Sequence, residues 1–251
     1  MTDISLSQTR ATLTPLAVAA LALAGIAVLL LSMVAFDTRV LDGESVWLKP
    51  LKFSVSLALW LATLDWGARR LPSSVRNRRW LTIWACIAIT TAFAELVWVA
   101  SAAALGTRSH YNVTDPLLQT LYETAMGPIA VLLALTAAGF GASLLRHGTD
   151  VMDRAVGYAF VATTMLTIPI GMALSFAPVE GIGIAPFGWT LAPGDLRPAH
   201  FVATHLMQII PIAMWFVALI GLERRGTSLV LTTTFSAITL LIAAYGMGWI
   251  G

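Results

Sequence analysis

Long apolar runs separated by short polar segments recur along the whole chain. Seven of these runs have roughly the 20 residues that a helix needs to cross the hydrocarbon core of a bilayer. The second is the least regular, because Lys49 and Lys52 lie in its first turns. The pattern predicts an all-α protein, a polytopic bundle of about seven transmembrane helices that forms one integral membrane domain over residues 1–251. The runs lie near Leu13–Phe36, Trp47–Trp66, Trp80–Leu105, Pro116–Leu145, Ala155–Ala177, Pro198–Leu222 and Ser228–Ile250.

Composition supports a lipid environment for this bundle. Hydrophobic residues make up 58% of the chain and charged residues only 11%, which does not fit a water-soluble surface. The basic residues lie in short clusters between apolar runs, and no basic face is interleaved with aromatic residues. We therefore expect the lipid bilayer as the main partner and no nucleic acid.

The distribution of cations predicts an orientation. If all seven runs span, ten of the 15 Lys and Arg residues fall on one side and five on the other. The positive-inside rule makes the richer side cytoplasmic, which puts the N-terminus in the cytoplasm and the C-terminus in the periplasm. The ten are Arg10, Arg69, Arg70, Arg76, Arg78, Arg79, Arg146, Arg154, Arg224 and Arg225; the five are Arg39, Lys49, Lys52, Arg108 and Arg197.

Two pairs of similar segments suggest an internal repeat. Leu48–Phe53 reads LKPLKF and Leu196–Phe201 reads LRPAHF, and TTAFA at 90–94 matches TTTFS at 232–236. A parallel repeat of spans one to three as five to seven, with the fourth as linker, is the plan of SWEET-like carriers. The alternative is coincidence, since proline suits a first helical turn and cations and aromatics anchor helices at interfaces.

The segments Trp47–Phe53 and Arg197–Phe201 also resemble stretches of bacterial multi-pass membrane proteins. The resemblance implies no particular activity. The expected location is a bacterial inner (cytoplasmic) membrane.

Ionisable residues concentrate in the half of the bundle nearest the predicted periplasm. With a helical rise of about 1.5 Å per residue, Glu123 and His205 lie about 10 Å below the outer surface and Glu95 about 15 Å. An ionisable group at such depth is a functional candidate, although structural ion pairing and snorkelling are alternatives. The candidate catalytic residues are Glu95, Glu123, His200 and His205; the candidate substrate-binding residues are Lys49, Lys52, Arg108, His110, Tyr122, Arg197 and Gln208.

Binding of a cofactor is one interpretation of these ionisable residues in the outer half of the bundle. A single metal ion held by His205, Glu95 and Glu123 is conceivable, as is haem ligation by one histidine. His200 and His205 have an i, i+5 spacing, which splays them on a regular helix. The alternative is a set of hydrogen-bonded histidines without metal.

Three function classes follow. The first is a membrane-embedded enzyme, an oxidoreductase or a hydrolase, with a periplasm-facing polar pocket. Its substrate is a lipophilic small molecule, with or without an anionic group, and a metal or haem is an optional cofactor. The second is a small-solute or proton-coupled transporter, which the repeat favours and the scarcity of polar residues in the inner half disfavours. The third is a non-catalytic binding or assembly subunit, either a homo-oligomer or part of a membrane complex.

Overall fold

Helices account for nearly all regular structure in the computed structural model, which describes residues 13–110, 112, 115–176, 183–184, 187–224 and 226–250. A π-helical turn, Tyr122–Met126, joins two of the helices, and a short hairpin pairs β1 (Val40–Leu41) with β2 (Glu44–Ser45). The helices are α1 (Pro15–Phe36), α2 (Leu48–Arg69), α3 (Ser73–Arg76), α4 (Arg79–Ala104), α5 (Pro116–Leu121), α6 (Gly127–His147), α7 (Val151–Phe176), α8 (Arg197–Leu219) and α9 (Thr227–Gly246).

Six helical segments in the described residues are long and apolar enough to cross a membrane. The prediction of a multi-pass helical membrane protein is confirmed at this level. Helix α2 has 22 residues, but it carries Lys49, Lys52, Asp65 and Arg69 and is not among the six. The six are Pro15–Phe36, Arg79–Ala104, Pro116–His147, Val151–Leu174, Arg197–Leu219 and Thr227–Gly246.

The helix ends differ from the predicted runs by a few residues. Helix α2 continues to Arg69, whereas α8 ends at Leu219 and α9 at Gly246, before the predicted Leu222 and Ile250. After α8, Gly221 has φ +67°, a conformation that ends a helix. Arg10, Ala177 and Arg225, which entered the predicted charge distribution and spans, lie outside the described residues.

Local sequence explains how two of the helices begin. The Thr14 hydroxyl accepts a hydrogen bond from the Ala17 amide at 3.1 Å, with Pro15 at the first position of α1. Asp115 caps α5 in the same way and accepts from the amides of Leu117 and Leu118. These caps satisfy amides that have no partner inside the helix, and proline lacks one such amide.

The bundle core lies where α2, α4, α6 and α7 meet. Leu61, Leu64, Phe140, Leu144 and Phe160 are almost completely buried there. The Phe160 ring of α7 lies directly against Gly67 of α2, where an added methyl group would come within 2.9 Å of two ring carbons. A larger residue at this position would separate α2 from α7.

One end of the bundle carries the arginine clusters, and we call it the arginine-rich end; the opposite end is the outer end. At the arginine-rich end, Arg70 of α2 pairs with Asp153 at 2.7 Å and with Asp150 at 2.9 Å. Asp65 of α2 accepts hydrogen bonds from Thr14 and from Arg69. These contacts tie α2 to α1 and α7 and leave each of these three carboxylates with a partner.

The hairpin lies at the outer end. Its turn is Asp42-Gly43, and both residues have positive φ, 52° and 81°. Positive φ at both central positions is the requirement of a type I′ turn, for which Asp-Gly is a favoured pair. The hairpin brings Asp42 and Glu44 to the cations of the outer end.

Candidate functional site

Lys49 and His110 form the centre of a polar cluster at the outer end. Lys49 Nζ, in the first turn of α2, lies 3.2 Å from His110 Nδ1, and the Ser109 hydroxyl lies 2.9 Å from the same nitrogen. The His110 ring packs between Tyr122, at a centroid distance of 4.8 Å, and Phe53, at 5.9 Å. A charged Lys49 has only donors, so Nδ1 is an acceptor and the neutral ring carries its proton on Nε2.

The electrostatic surroundings of His110 favour the same neutral form. Its pKa is lowered well below the ordinary 6.5, first because burial penalises the charged imidazolium and then because Lys49 and His200 add positive charge nearby. His110 therefore takes part in this cluster as a neutral imidazole at pH 7.

Glu95 approaches the cluster from α4. Only 4% of the residue is exposed, and it interacts electrostatically with Lys49. Its Oε1 atom is buried and has no hydrogen-bond partner among the described residues. A buried polar atom without a partner calls for an explanation such as a bound water or ligand.

His200 approaches from the first turn of α8. Its ring lies against Gly171 of α7, where an added methyl group would come within 3.0 Å of His200 Cε1. His200 Nδ1 is buried and, within the described part of the chain, has no hydrogen-bond partner. The ring lies within electrostatic range of both His110 and His205. We call Lys49, Glu95, His110, Tyr122 and His200 the outer polar cluster.

A chain of hydrogen bonds leads from the level of the outer polar cluster toward the middle of the bundle. His205 Nδ1 lies 3.2 Å from Gln208 Oε1, and Gln208 Nε2 donates to Thr63 Oγ1 of α2 at 2.9 Å. Since the amide oxygen only accepts, His205 carries a proton on Nδ1. Gln208 and Thr63 border a cavity of about 370 Å³ whose other walls include Trp66, Pro211 and Trp215. The chain thus links α8 to α2 and ends at a largely apolar cavity.

The other predicted substrate-binding cations have carboxylate partners. Lys52 lies 3.6 Å from Glu44 of the hairpin. Arg108 donates to both oxygens of Asp42 at 2.8 and 2.7 Å. The Arg108 guanidinium is the main reason that the pKa of Asp42 is lowered. These two cations thus hold the hairpin onto the bundle.

Arg197 is paired in the same manner, with Asp195 at 2.8 Å. Burial alone raises the pKa of Asp195, but hydrogen bonds from the Arg197 side chain and from the Thr190 and Arg197 amides outweigh it, so the pKa is lowered overall. Of the four cations among the predicted substrate-binding residues, Lys49 is the one that lies against a neutral imidazole.

Glu123 is not part of the outer polar cluster. It lies in the π-helical turn, is exposed, and accepts a hydrogen bond from Gln119 at 3.0 Å. A π turn inserts one residue relative to a regular helix and re-aims the side chains around it. Its neighbour Tyr122, rather than Glu123, therefore packs on His110.

The described residues contain no group of three or more His, Cys, Asp and Glu side chains that could hold a metal ion. The predicted trio of His205, Glu95 and Glu123 is not brought together. Metal or haem binding stays a prediction from sequence.

Sequence reasoning missed Ser109, Gly171 and Thr63, which contact His110, His200 and Gln208. A serine in a loop and a glycine or threonine in an apolar helix carry no signal of function by themselves. Their roles depend on which helices are neighbours.

Comparisons of this chain with protein-family models, with curated proteins and with solved structures found no match. The argument for function therefore rests on the geometry of the cluster.

Proposed function

We propose that this protein is a membrane-embedded enzyme that acts at the outer polar cluster on a lipophilic substrate bearing an anionic group. The observation that carries the proposal is a pair of buried acid–base atoms, Glu95 Oε1 and His200 Nδ1, that lack partners among the described residues. They approach the Lys49–His110 contact from two different helices, α4 and α8. Leaving each atom unpaired costs about 1–3 kcal/mol, which a bound substrate would recover.

The residues then divide into distinct roles. Lys49 binds the anionic group of the substrate, because an ammonium is a compact charge with three donors. Glu95 and His200 exchange protons with the reacting atoms as general acid and base. His110, held neutral, positions Lys49, and Tyr122 packs against the His110 ring.

The proposal includes a topology. Helix α2 makes a seventh crossing, the arginine-rich end faces the cytoplasm, and the outer polar cluster faces the periplasm of a bacterial inner membrane. Seven crossings place the N-terminus inside and the C-terminus outside. The packing supports a repeat of spans one to three as five to seven. Helices α1, α2 and α4 pack together, α7, α8 and α9 pack together, and α6 packs between α4 and α7.

Proton-coupled transport is the second candidate. The hydrogen-bonded chain of His205, Gln208 and Thr63 favours it, because the chain leads from the level of the cluster to a cavity nearer the arginine-rich end. A transporter needs polar groups on both sides of its substrate pathway. The paired state of Asp65 and Asp153 argues against such a pathway at the arginine-rich end.

The first experiment compares Glu95→Gln with a matched control, Glu123→Gln, whose carboxylate is exposed. Each variant and the wild type are produced in a bacterial host, and membrane lipid extracts are compared by untargeted mass spectrometry against an empty-vector strain. We expect a chemically altered lipophilic compound with wild type and Glu123→Gln. Loss of a general acid–base group lowers rates by about 10²–10⁴-fold, so Glu95→Gln should not form it.

Thermal unfolding of each purified variant shows whether loss of product reflects loss of folding. Full product formation by a folded Glu95→Gln protein would remove Glu95 from the site. If no extract differs and proteoliposomes accumulate a solute only with a pH gradient, the transport candidate replaces the enzyme.

A further inference from the structure

A second polar cavity lies at the arginine-rich end, far along the bundle from the outer polar cluster. It has a volume of about 290 Å³ and lies between the start of α4 and the last turns of α6. These two helices pack against one another and run in opposite directions. Six of the side chains that line it are Arg78, Trp80, Trp84, Ser143, Arg146 and His147.

The cations at this cavity have no acidic neighbour in the described part of the chain. No described Asp or Glu lines the cavity, and neither Arg78 nor Arg146 makes a side-chain hydrogen bond or ion pair with any residue that the structure describes. The nearby carboxylates of Asp150 and Asp153 are already bound by Arg70. Two guanidinium groups at one cavity without a counter-charge form a site for an anion, and their planar donors match phosphate oxygens.

Indole rings complete the cavity. The Trp84 ring lies flat against α6 at Gly139, where an added methyl group would come within 2.8 Å of the ring. Tryptophan is typical of the membrane–water boundary. Ile83, between Trp80 and Trp84 on α4, is exposed by 50%, and Leu135, one turn nearer the bilayer centre than Gly139 on α6, is exposed by 37%. These two side chains offer an apolar surface beside the cavity.

We propose that this cavity binds the phosphate headgroup of an anionic phospholipid. The cavity is near the lower end of the 300–1,000 Å³ typical of small-molecule sites. It therefore holds a headgroup, while the acyl chains lie outside along Ile83 and Leu135. The membrane boundary, the indoles and the apolar surface favour a lipid over soluble phosphate, and basic pockets between membrane helices bind such headgroups.

The test is native mass spectrometry of the detergent-purified protein with phosphatidylglycerol or phosphatidylcholine. The variant is Arg78→Gln with Arg146→Gln, and the control of equal charge is Arg154→Gln with Arg224→Gln, exposed arginines of the same end that do not line the cavity. Loss of charge-assisted hydrogen bonds worth about 1.5–3 kcal/mol should weaken phosphatidylglycerol binding about tenfold or more. The control should bind like wild type, and phosphatidylcholine binding should not change.

Each of three results would overturn the proposal: unchanged phosphatidylglycerol binding in the cavity variant, an equal loss in the control, or displacement of the lipid by millimolar inorganic phosphate. The last result would assign the cavity to a soluble anion. If the double variant does not fold, Arg146→Gln alone, which keeps Arg78, is measured against Arg154→Gln alone with the same expected contrast.

Discussion

Glu95 and Glu123, both predicted from the sequence as candidate catalytic residues, lie in different environments. Glu95 is buried and leaves one carboxylate oxygen without a partner among the described residues, whereas Glu123 is exposed and bonded to Gln119. Helical rise placed Glu123 about 10 Å and Glu95 about 15 Å below the outer surface, but burial depends on the direction of a side chain as well as its depth. Glu95 is therefore the stronger candidate for acid–base chemistry.

The neutral state of His110 predicts a pH dependence. Its folded pKa lies well below 6.5 because of burial and then of Lys49 and His200. Below pH 6.5 the unfolded chain therefore takes up a proton that the folded protein does not. Stability contributed by this group is present above pH 6.5 and is lost as pH falls from there, by up to about 1.4 kcal/mol per pH unit.

Chemical unfolding in detergent between pH 5 and 7 measures this loss. Replacing the imidazole in His110→Asn removes the titrating group, so the unfolding free energy should fall less steeply with acid than in wild type. Wild type and His110→Asn are measured side by side at each pH. An unchanged slope in His110→Asn would mean that folding does not lower the pKa of His110.

At the scale of elements, short irregular segments position the outer end. The hairpin supplies Asp42 to Arg108 and Glu44 to Lys52, and the π-helical turn directs Tyr122 onto His110. The long helices set the depth of each residue in the bundle. The hairpin determines which cations are paired with carboxylates, and the π-helical turn determines which side chain packs on the outer polar cluster.

The turn of the hairpin gives a test at this scale. Gly43→Ala places a Cβ where φ is 81°, and such substitutions destabilise by about 1 kcal/mol. Its matched control is Gly25→Ala, a helical position in α1 with no atom within 4 Å of the new methyl group, which should be neutral or stabilising.

The melting temperatures of the two purified variants provide the measurement. Gly43→Ala should melt below wild type and Gly25→Ala should not. Equal melting temperatures for Gly43→Ala and wild type would show that the hairpin contributes nothing to the stability of the folded state.

At the scale of the whole molecule, polar groups differ between the two ends. At the arginine-rich end, buried carboxylates are held by arginines, such as Asp153 by Arg70. The outer end keeps Glu95 and His200 with unpartnered atoms in the described structure. Paired carboxylates stabilise a closed bundle, whereas buried acid–base atoms without partners are suited to bind a substrate, and this contrast supports the proposed site at the outer end.

The proposed topology is tested by cysteine labelling. In a Cys86→Ala background, which removes the single native thiol, Val40→Cys and Ser74→Cys introduce exposed thiols on the two sides of α2. Spheroplasts are treated with a membrane-impermeant maleimide. Because α2 is proposed to span, Val40→Cys should react in intact spheroplasts and Ser74→Cys only after lysis. Reaction of both before lysis would mean that α2 does not cross, and the reverse pattern would invert the orientation.

Some site residues were predictable from sequence and others were not. Lys49, His110 and His200 were selected because they are polar residues in the outer half of the bundle. Depth along an apolar helix pointed to Glu95 because a charged group in lipid must be satisfied by protein or water. Glu123 was selected by the same reasoning, but the π turn, a backbone irregularity without a clear sequence signature, turned it to the surface. The pairing of Arg108 with Asp42 depends on a hairpin that the pattern of apolar runs does not predict.

The sequence by itself determined that the chain forms long apolar helices, because the backbone can satisfy its own hydrogen bonds in lipid only in such structures. Asp115-Pro116 likewise fixed a helix start by local chemistry. Which helices are neighbours was decided by tertiary packing, through close contacts such as Phe160 on Gly67 and His200 on Gly171. Those contacts depend on the shapes of residues far apart in sequence, and they determine which buried polar atoms have partners and which do not.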